Sequence, residues 1–380
     1  MKRVAIVGST GSIGRNSLDI VSRLPEDFSI VGLTAFSNVG LLKEQVRRFA
    51  PSAIAVKDDY VGEVKAITNG KIEVLGQEGF NRVAALPQAD IVVIAISGSA
   101  ALFPLLSAVR AGKAIALANK EALVMAGGII IAEAKKFGAR MIPVDSEQSA
   151  IFQCLAGRER KEIDKIYLTA SGGPFAALPK RDFSRITLKE VLRHPRWKMG
   201  KKITVDSATM MNKGLEIIEA QWLFEVAVKD IEVLVHKEAA VHSMVKFIDG
   251  SIIAQLGVTD MRLPIQFALT YPKRIASRLP DLDLARLGKL TFARPDLKKF
   301  PSLGLARQVA EKGGSLPAVM NAANEEAVGA FLNGRISFKD IYPTVEKVVA
   351  RHKTANQPAL DAILSADKWA RQEACRLINA

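Results

Sequence analysis

Short, near-continuous apolar runs recur along the first 145 residues, and each is followed by a stretch with apolar positions at helical spacing. The runs are VAIVG (4–8), FSIVGLTA (28–35), SAIAV (52–56), ADIVVIAIS (89–97), KAIALA (113–118) and ARMIPV (139–144). Strands without polar alternation are buried on both faces, the condition of a parallel sheet covered by helices. The pattern predicts a doubly wound, Rossmann-like α/β domain over residues 1–145.

Beyond Ser146 the texture changes. IYLTASGGPF (166–175), IEVLVH (231–236), VHSMVKFI (241–248) and SIIAQLG (251–257) read as strands. The last two are joined by Asp249-Gly250, a two-residue hairpin signal. This predicts a central α+β domain over 146–263. Pro264, Pro272, Pro280, Pro295 and Pro301 punctuate residues 264–301 and predict an extended connection. From 302 to 380 only helical patterns remain, with short links, which predicts a C-terminal helical bundle.

The apolar share of 49% and the charged share of 24% are ordinary for a globular chain. No run of about 20 apolar residues occurs, so no membrane helix is expected. The N-terminal MKRVAIVGSTGSIG reads directly as a strand, so no targeting segment is expected. Cys154 and Cys375 lack disulfide or zinc spacing, which suits a reducing cytoplasm. The net charge is +14, and half of it arises over residues 180–202, where nine Lys/Arg accompany two acids. Such a segment attracts anions: nucleic acid, anionic lipid or phosphorylated small molecules. With one Trp, one Phe and no nucleic-acid motif in that stretch, no nucleic-acid partner is expected.

Gly8, Gly11 and Gly14 in GSTGSIG follow the first strand and open a helix, so backbone amides can approach a dinucleotide pyrophosphate. The second strand ends in Ala35-Phe36-Ser37-Asn38, with no acid to repel a 2′-phosphate, which favours NADP. Asp145 and Glu147 read two ways: as hard oxygen ligands for Mg²⁺ or Mn²⁺, or as caps of a helix beginning near Gln148. In VDSATMMNKGLEIIEA (205–220), a helix capped by Asp206 or Ser207 would set Asn212 and Glu216 on one face beside Lys213. That face suits a phosphate and a metal, or else holds an ordinary Lys213–Glu216 pair. Ser171-Gly172-Gly173 offers a hydroxyl and amides to an anion. Lys120 stands at another strand end, and His242 lies on the hairpin strand. His194, Trp197 and Met199 fall in the basic stretch, read as a lid over about 180–202.

VDSATMMNKGLE, PVDSEQSA, LTASGGPF, HPRWKMG, ANKEALVMAG, DMRLPI and LPAVMNAANEEAV together resemble the 1-deoxy-D-xylulose 5-phosphate reductoisomerase family, over essentially the whole chain. The resemblance implies the second step of the non-mevalonate isoprenoid pathway: rearrangement of a keto-sugar phosphate and NADPH reduction to 2-C-methyl-D-erythritol 4-phosphate. It implies a divalent metal (Mn²⁺, Mg²⁺ or Co²⁺) on Asp145, Glu147 and Glu216, and a substrate phosphate on Ser171, Ser207, Asn212 and Lys213. Lys120, Ser146 and Glu147 would meet the reacting end, with His194, Trp197 and Met199 in the lid and His242 lining the site. Lys120, Glu147, His194 and His242 are the implied catalytic residues. Gly8, Thr10, Gly11, Ser12, Ile13, Ser37, Asn38, Asn119, Glu121 and Gly200 would contact NADPH. The family is homodimeric, and no membrane or nucleic-acid partner is implied.

Two alternatives differ in kind. Another NADP-dependent dehydrogenase acting on a small phosphorylated substrate, of the semialdehyde type, needs a nucleophilic cysteine, and Cys154 sits in a helical apolar run. A non-enzymatic NADP-binding regulator would have no reason to keep three acids and a phosphate grip together.

Overall fold

Seven strands form one parallel sheet: β1 (Lys2–Val7), β2 (Phe28–Ala35), β3 (Ala53–Val56), β4 (Glu73–Leu75), β5 (Ile91–Ile94), β6 (Ala114–Leu117) and β7 (Arg140–Pro143). Their order is β4-β3-β2-β1-β5-β6-β7, so the winding direction reverses between β1 and β5. In open α/β sheets a ligand crevice lies at that reversal, beyond the carboxyl ends of the strands. Val4 to Val7 and Val92 to Ile94 are wholly buried, which accounts for their unbroken apolar runs. The computed structural model describes all 380 residues except 69, 71, 194–196 and 198, and of residue 67 only the backbone.

The doubly wound domain is as expected, with one strand more. β4 pairs in parallel with β3 at the sheet edge, and its EVL sequence is too short and too exposed to announce itself. Residues 264–301 also differ from the extended connection expected of them, because Arg262–Thr270 is a helix. Pro264 stands in its first turn, where a missing N–H removes no helical bond. The helix packs on the helix Ser12–Arg23, Arg262 reaches Asp19 at 3.5 Å, and Lys2 Nζ donates to the carbonyls of Leu269 and Tyr271 at 3.2 and 3.1 Å.

A second sheet has the order β11-β10-β8-β9, built from β8 (Ile163–Ala170), β9 (Ile231–Val235), β10 (Val241–Phe247) and β11 (Ile252–Leu256). β8 and β9 run parallel and β10 is antiparallel to both its neighbours. The Asp249-Gly250 turn joins β10 to β11, with Gly250 at φ +87°. The helices Lys201–Thr209 and Met211–Phe224 lie in the crossover from β8 to β9. The expected C-terminal bundle comprises Pro301–Lys312, Leu316–Leu332, Ile341–Arg351 and Leu360–Ile378. Leu316–Leu332 is its central member: Leu316 to Asn324 are all buried, as a helix enclosed on every side requires.

The chain forms two compact units interleaved in sequence, where the sequence alone divides it linearly after 145, 263 and 301. One comprises Met1–Ala122, Ile130–Ser149 and Asp260–Leu279; the other Leu123–Ile129, Ala150–Thr259 and Pro280–Ala380. Among the described residues no helix is long and apolar enough to cross a membrane.

Candidate active site

In the first unit, the turn after β1 needs glycine for two separate reasons. Gly8 has φ +96°, and a Cβ there would stand 2.8 Å from the carbonyl oxygen of Ala95. A Cβ on Gly14 would come within 2.3 Å of the Gly8 carbonyl oxygen, so the helix could not begin so close to the strand. The helix Ser12–Arg23 opens at Gly11 without a side-chain cap, which leaves its first amides to a ligand. Thr10 and Ile13 are half-buried beside it, and Ser12 is exposed.

Two residues that sequence reasoning missed hold this turn. Thr34 Oγ1 accepts from the Gly8 amide at 2.9 Å. Gln45 Nε2 donates to the Ser9 carbonyl at 3.0 Å, while Ser9 Oγ donates to Gln45 Oε1 at 2.7 Å. No local pattern marks either residue, since their partners lie 26 and 36 positions away. Beyond β2, Phe36, Ser37 and Asn38 are exposed. Asn38 Oδ1 accepts from Leu41 N–H and so caps the helix Val39–Phe49, leaving its amide group to donate elsewhere.

The ends of β6 and β7 bring further expected residues to the carboxyl edge of the same sheet. Asn119 Nδ2 donates to the carbonyls of Ile96 and Gly98 and to Glu121 Oε2, at 2.9, 3.0 and 2.9 Å. Its Oδ1 takes the Ala122 amide, so Asn119 fixes the loop after β5 as well as the start of the next helix. Lys120 is buried, and its Nζ lies 3.2 Å from Asp145 Oδ2. That approach makes an ion pair without hydrogen-bond geometry, so Oδ2 is shut off from solvent with no hydrogen-bond donor. Lys120 balances the charge of this oxygen, but no donor occupies its lone pairs, which leaves them to a cation that binds carboxylate oxygen directly. Glu147 lies in the first turn of the helix Ser146–Cys154 and accepts from Ser146 Oγ.

In the second unit, the opening of the helix Met211–Phe224 differs from expectation. Asp206 and Ser207 do not cap it; they lie inside the preceding helix, Lys201–Thr209. The two helices are separated by Met210, in the left-handed region at φ +60°. The expected face is nonetheless present. Asn212 Nδ2 and Lys213 Nζ each donate to Glu216 at 2.5 Å, one to either carboxylate oxygen. Lys213 and Glu216 are buried, so theirs is no surface pair.

Ser171 follows β8, and its Oγ accepts from the Gly173 amide at 3.3 Å. Gly172 and Gly173 have φ +84° and +67°, and a Cβ on Gly173 would meet the Ser207 carbonyl oxygen at 2.6 Å. Gly173 therefore lets the Ser171 loop rest against the backbone at Ser207, while a Cβ on Gly172 would meet Ala176 and Val235. His242 is buried on β10 with its ring centroid 6.2 Å from that of Trp197. Met199 is half-buried, and Gly200 precedes the helix Lys201–Thr209. His194 lies outside the described residues. Cys154 is buried, and burial pushes its thiol up to about 11, which leaves no thiolate for a dehydrogenase of the semialdehyde type.

Three family models match consecutive parts of the chain: 1-deoxy-D-xylulose 5-phosphate reductoisomerase over residues 4–127, its C-terminal domain over 141–224, and the DXP reductoisomerase C-terminal domain over 256–373. A 1-deoxy-D-xylulose 5-phosphate reductoisomerase of Pelotomaculum thermopropionicum is 47% identical, covering 100% of this chain and 99% of that protein. One from Acetivibrio thermocellus is 51% identical, covering 98% of each. Among solved structures, the Zymomonas mobilis reductoisomerase in complex with NADPH matches at a TM-score of 0.93 and 40% identity, over 100% of this chain and 99% of that one. A DOX-P reductoisomerase in complex with NADPH, fosmidomycin and magnesium matches at 0.95 and 40%, over 100% and 98%.

Proposed function

The chain belongs to the 1-deoxy-D-xylulose 5-phosphate reductoisomerase family, and on that footing we propose how its own residues carry the reaction. It is an NADP-dependent oxidoreductase that converts 1-deoxy-D-xylulose 5-phosphate to 2-C-methyl-D-erythritol 4-phosphate with NADPH and a divalent metal. The carbon skeleton first rearranges to a branched aldehyde, which then takes a hydride from NADPH and a proton.

The metal falls to Asp145, Glu147 and Glu216, the three carboxylates that the family resemblance implies for it. The observation that carries this reading is Asp145 Oδ2, buried and without a hydrogen-bond donor. An all-oxygen donor set suits Mg²⁺, Mn²⁺ or Co²⁺ better than a thiophilic ion. When bound, the metal supplies Lewis-acid polarisation of the substrate's carbonyl and adjacent hydroxyl. Lys120 and Ser146 orient that hydroxyl-ketone end, and Glu147 moves the proton during the carbon shift.

The phosphate is gripped by Ser171, Ser207, Asn212 and Lys213, far from the bonds that change, so binding energy there orients the reacting end. His194, Trp197 and Met199 close over the substrate, and the His242 ring lies tilted beside that of Trp197. NADPH lies along Gly8, Thr10, Gly11, Ser12 and Ile13, with Ser37 and Asn38 at the ribose 2′-phosphate. Asn119, Glu121 and Gly200 belong to the nicotinamide end.

The enzyme acts as a homodimer in the cytoplasm. The unpaired Cys154 and Cys375 fit a reducing compartment. β11 stands at the edge of its sheet with Ile252 and Ile253 exposed, a strand ready to meet a second copy.

The test is NADPH consumption by the purified protein with deoxyxylulose phosphate, with Mn²⁺ or Mg²⁺ supplied or chelated, and NADH in parallel. Metal-dependent oxidation of NADPH in preference to NADH is expected. Oxidation that survives chelation would overturn the carboxylate assignment.

A further inference from the structure

Asn324 is wholly buried in the middle of the helix Leu316–Leu332, among Ala322, Ala323, Ala327 and Val328. A primary amide in such surroundings is costly, and its Oδ1 is buried with no hydrogen-bond partner, so its polar anchoring comes through Nδ2. Its Nδ2 donates to Asp206 Oδ1 at 2.8 Å. Asp206 is itself 1% exposed, and its second oxygen receives Lys202 Nζ at 2.8 Å from one turn earlier in its own helix. One buried carboxylate is thus held on both sides, by its own helix and by the central helix of the C-terminal bundle.

This carboxylate immediately precedes Ser207. Met210 turns the chain through the left-handed region, and Thr209 Oγ1 bridges the turn by donating to the Asp206 carbonyl and accepting from the Met211 amide. The Ser171 loop leans on the same turn, since Gly173 leaves no room for a Cβ against the Ser207 carbonyl oxygen. Both arms of the phosphate grip therefore refer to one point on the helix Lys201–Thr209.

We propose that Asp206 and Asn324 are a positioning pair for the substrate phosphate, through which the C-terminal bundle sets where Ser207 and the start of the helix Met211–Phe224 stand. The inference rests on the phosphate reading given above. Neither residue touches the substrate; the pair acts through Ser207, Asn212 and Lys213.

The variants that test it are Asn324→Asp, Asp206→Asn, the double exchange Asp206→Asn/Asn324→Asp, and Asn324→Ser. Ser207→Ala is measured beside them. The readouts are KM for deoxyxylulose phosphate, inhibition by inorganic phosphate, kcat, KM for NADPH and thermal midpoint. Each single change at the pair should raise the substrate KM and the phosphate inhibition constant together by about tenfold, with NADPH KM unmoved. In the double exchange the amide and carboxylate trade places, the hydrogen bond re-forms and Lys202 keeps an acceptor. Substrate KM should then return to within about threefold of the parent.

A folded Asn324→Ser protein with substrate KM and phosphate inhibition unchanged overturns the proposal. So does a double exchange that regains thermal stability while its substrate KM stays raised. If Ser207→Ala weakens phosphate inhibition and the pair variants do not, the pair alone fails. If Ser207→Ala changes nothing, the phosphate reading beneath it fails.

Discussion

Lys213 Nζ and Glu216 Oε2 stand 2.5 Å apart on one turn of the helix Met211–Phe224, and both side chains are buried. A residue assigned to the phosphate and one assigned to the metal thus share a direct ion pair. Removing one partner of a buried pair leaves the other charge uncompensated, whereas removing both is far less costly. Glu216→Gln should therefore lower stability by about 3 kcal/mol. It should also cut turnover at least about a hundredfold through loss of the proposed metal ligand. Lys213→Met/Glu216→Gln should recover much of the stability and none of the turnover. Chemical denaturation, Mn²⁺ titration calorimetry and NADPH oxidation read these separately. A Glu216→Gln enzyme that turns over at the parent rate contradicts the metal assignment.

Gly127 offers a test of packing away from the chemistry. In an open helix, Gly→Ala stabilises by about 1 kcal/mol. Here a Cβ would stand 2.3 to 2.5 Å from three atoms of the Trp222 ring, and Gly128 faces the same ring at 3.2 Å. An indole cannot move aside like a flexible chain end, so the sign reverses. Gly127→Ala is expected to destabilise by about 1–3 kcal/mol in urea unfolding, and adding Trp222→Leu should return part of that. An unchanged midpoint in the single variant would show that the ring yields freely.

The C-terminal bundle has its own acid signature. Hydrogen bonds from Arg376 and then Arg351 hold the Glu373 carboxyl down at about 2, from an ordinary value of 4.5. A carboxyl depressed in the fold stabilises it above its unfolded value, and that contribution disappears as pH falls through the folded value. The thermal midpoint of the parent should thus exceed that of Glu373→Gln near neutrality. The gap should close between pH 4.5 and about 2. A gap that stays constant through that window would mean that the two arginines do not hold the carboxyl in solution.

Much of this architecture is legible in the residue order, for identifiable reasons. FSIVGLTA is β2 residue for residue, because a strand buried on both faces is mostly apolar and its few polar residues are small. Asp249-Gly250 marks its hairpin, because Gly250 takes a positive φ that few other residues accept. The break at Met210 is hidden for the opposite reason: VDSATMMNKGLE contains no glycine or asparagine where the chain enters the left-handed region. Read as one capped helix, it gives Asn212 and Glu216 the right face but Asp206 and Ser207 the wrong element. The supports of the site are equally silent in the sequence. Thr34 at Gly8 and Asn324 at Asp206 are contacts across 26 and 118 positions, and no local periodicity records a partner so distant. The short, exposed β4 carries too little pattern to read at all.

The interleaving of the two units bears on how the chain is made. The first unit takes in Asp260–Leu279, which follows most of the second, and Lys2 finds its carbonyl partner at Leu269, 267 positions on. A nascent chain leaving the ribosome cannot complete this unit when Ser149 emerges; the surface that receives the helix Arg262–Thr270 waits until that helix has been translated. Contacts so far apart also close slowly, since the intervening loop must lose its freedom first. The order of events in synthesis is thus set by topology: the sheet can form early, its cover arrives late, and the apolar face in between is a surface for chaperones to hold.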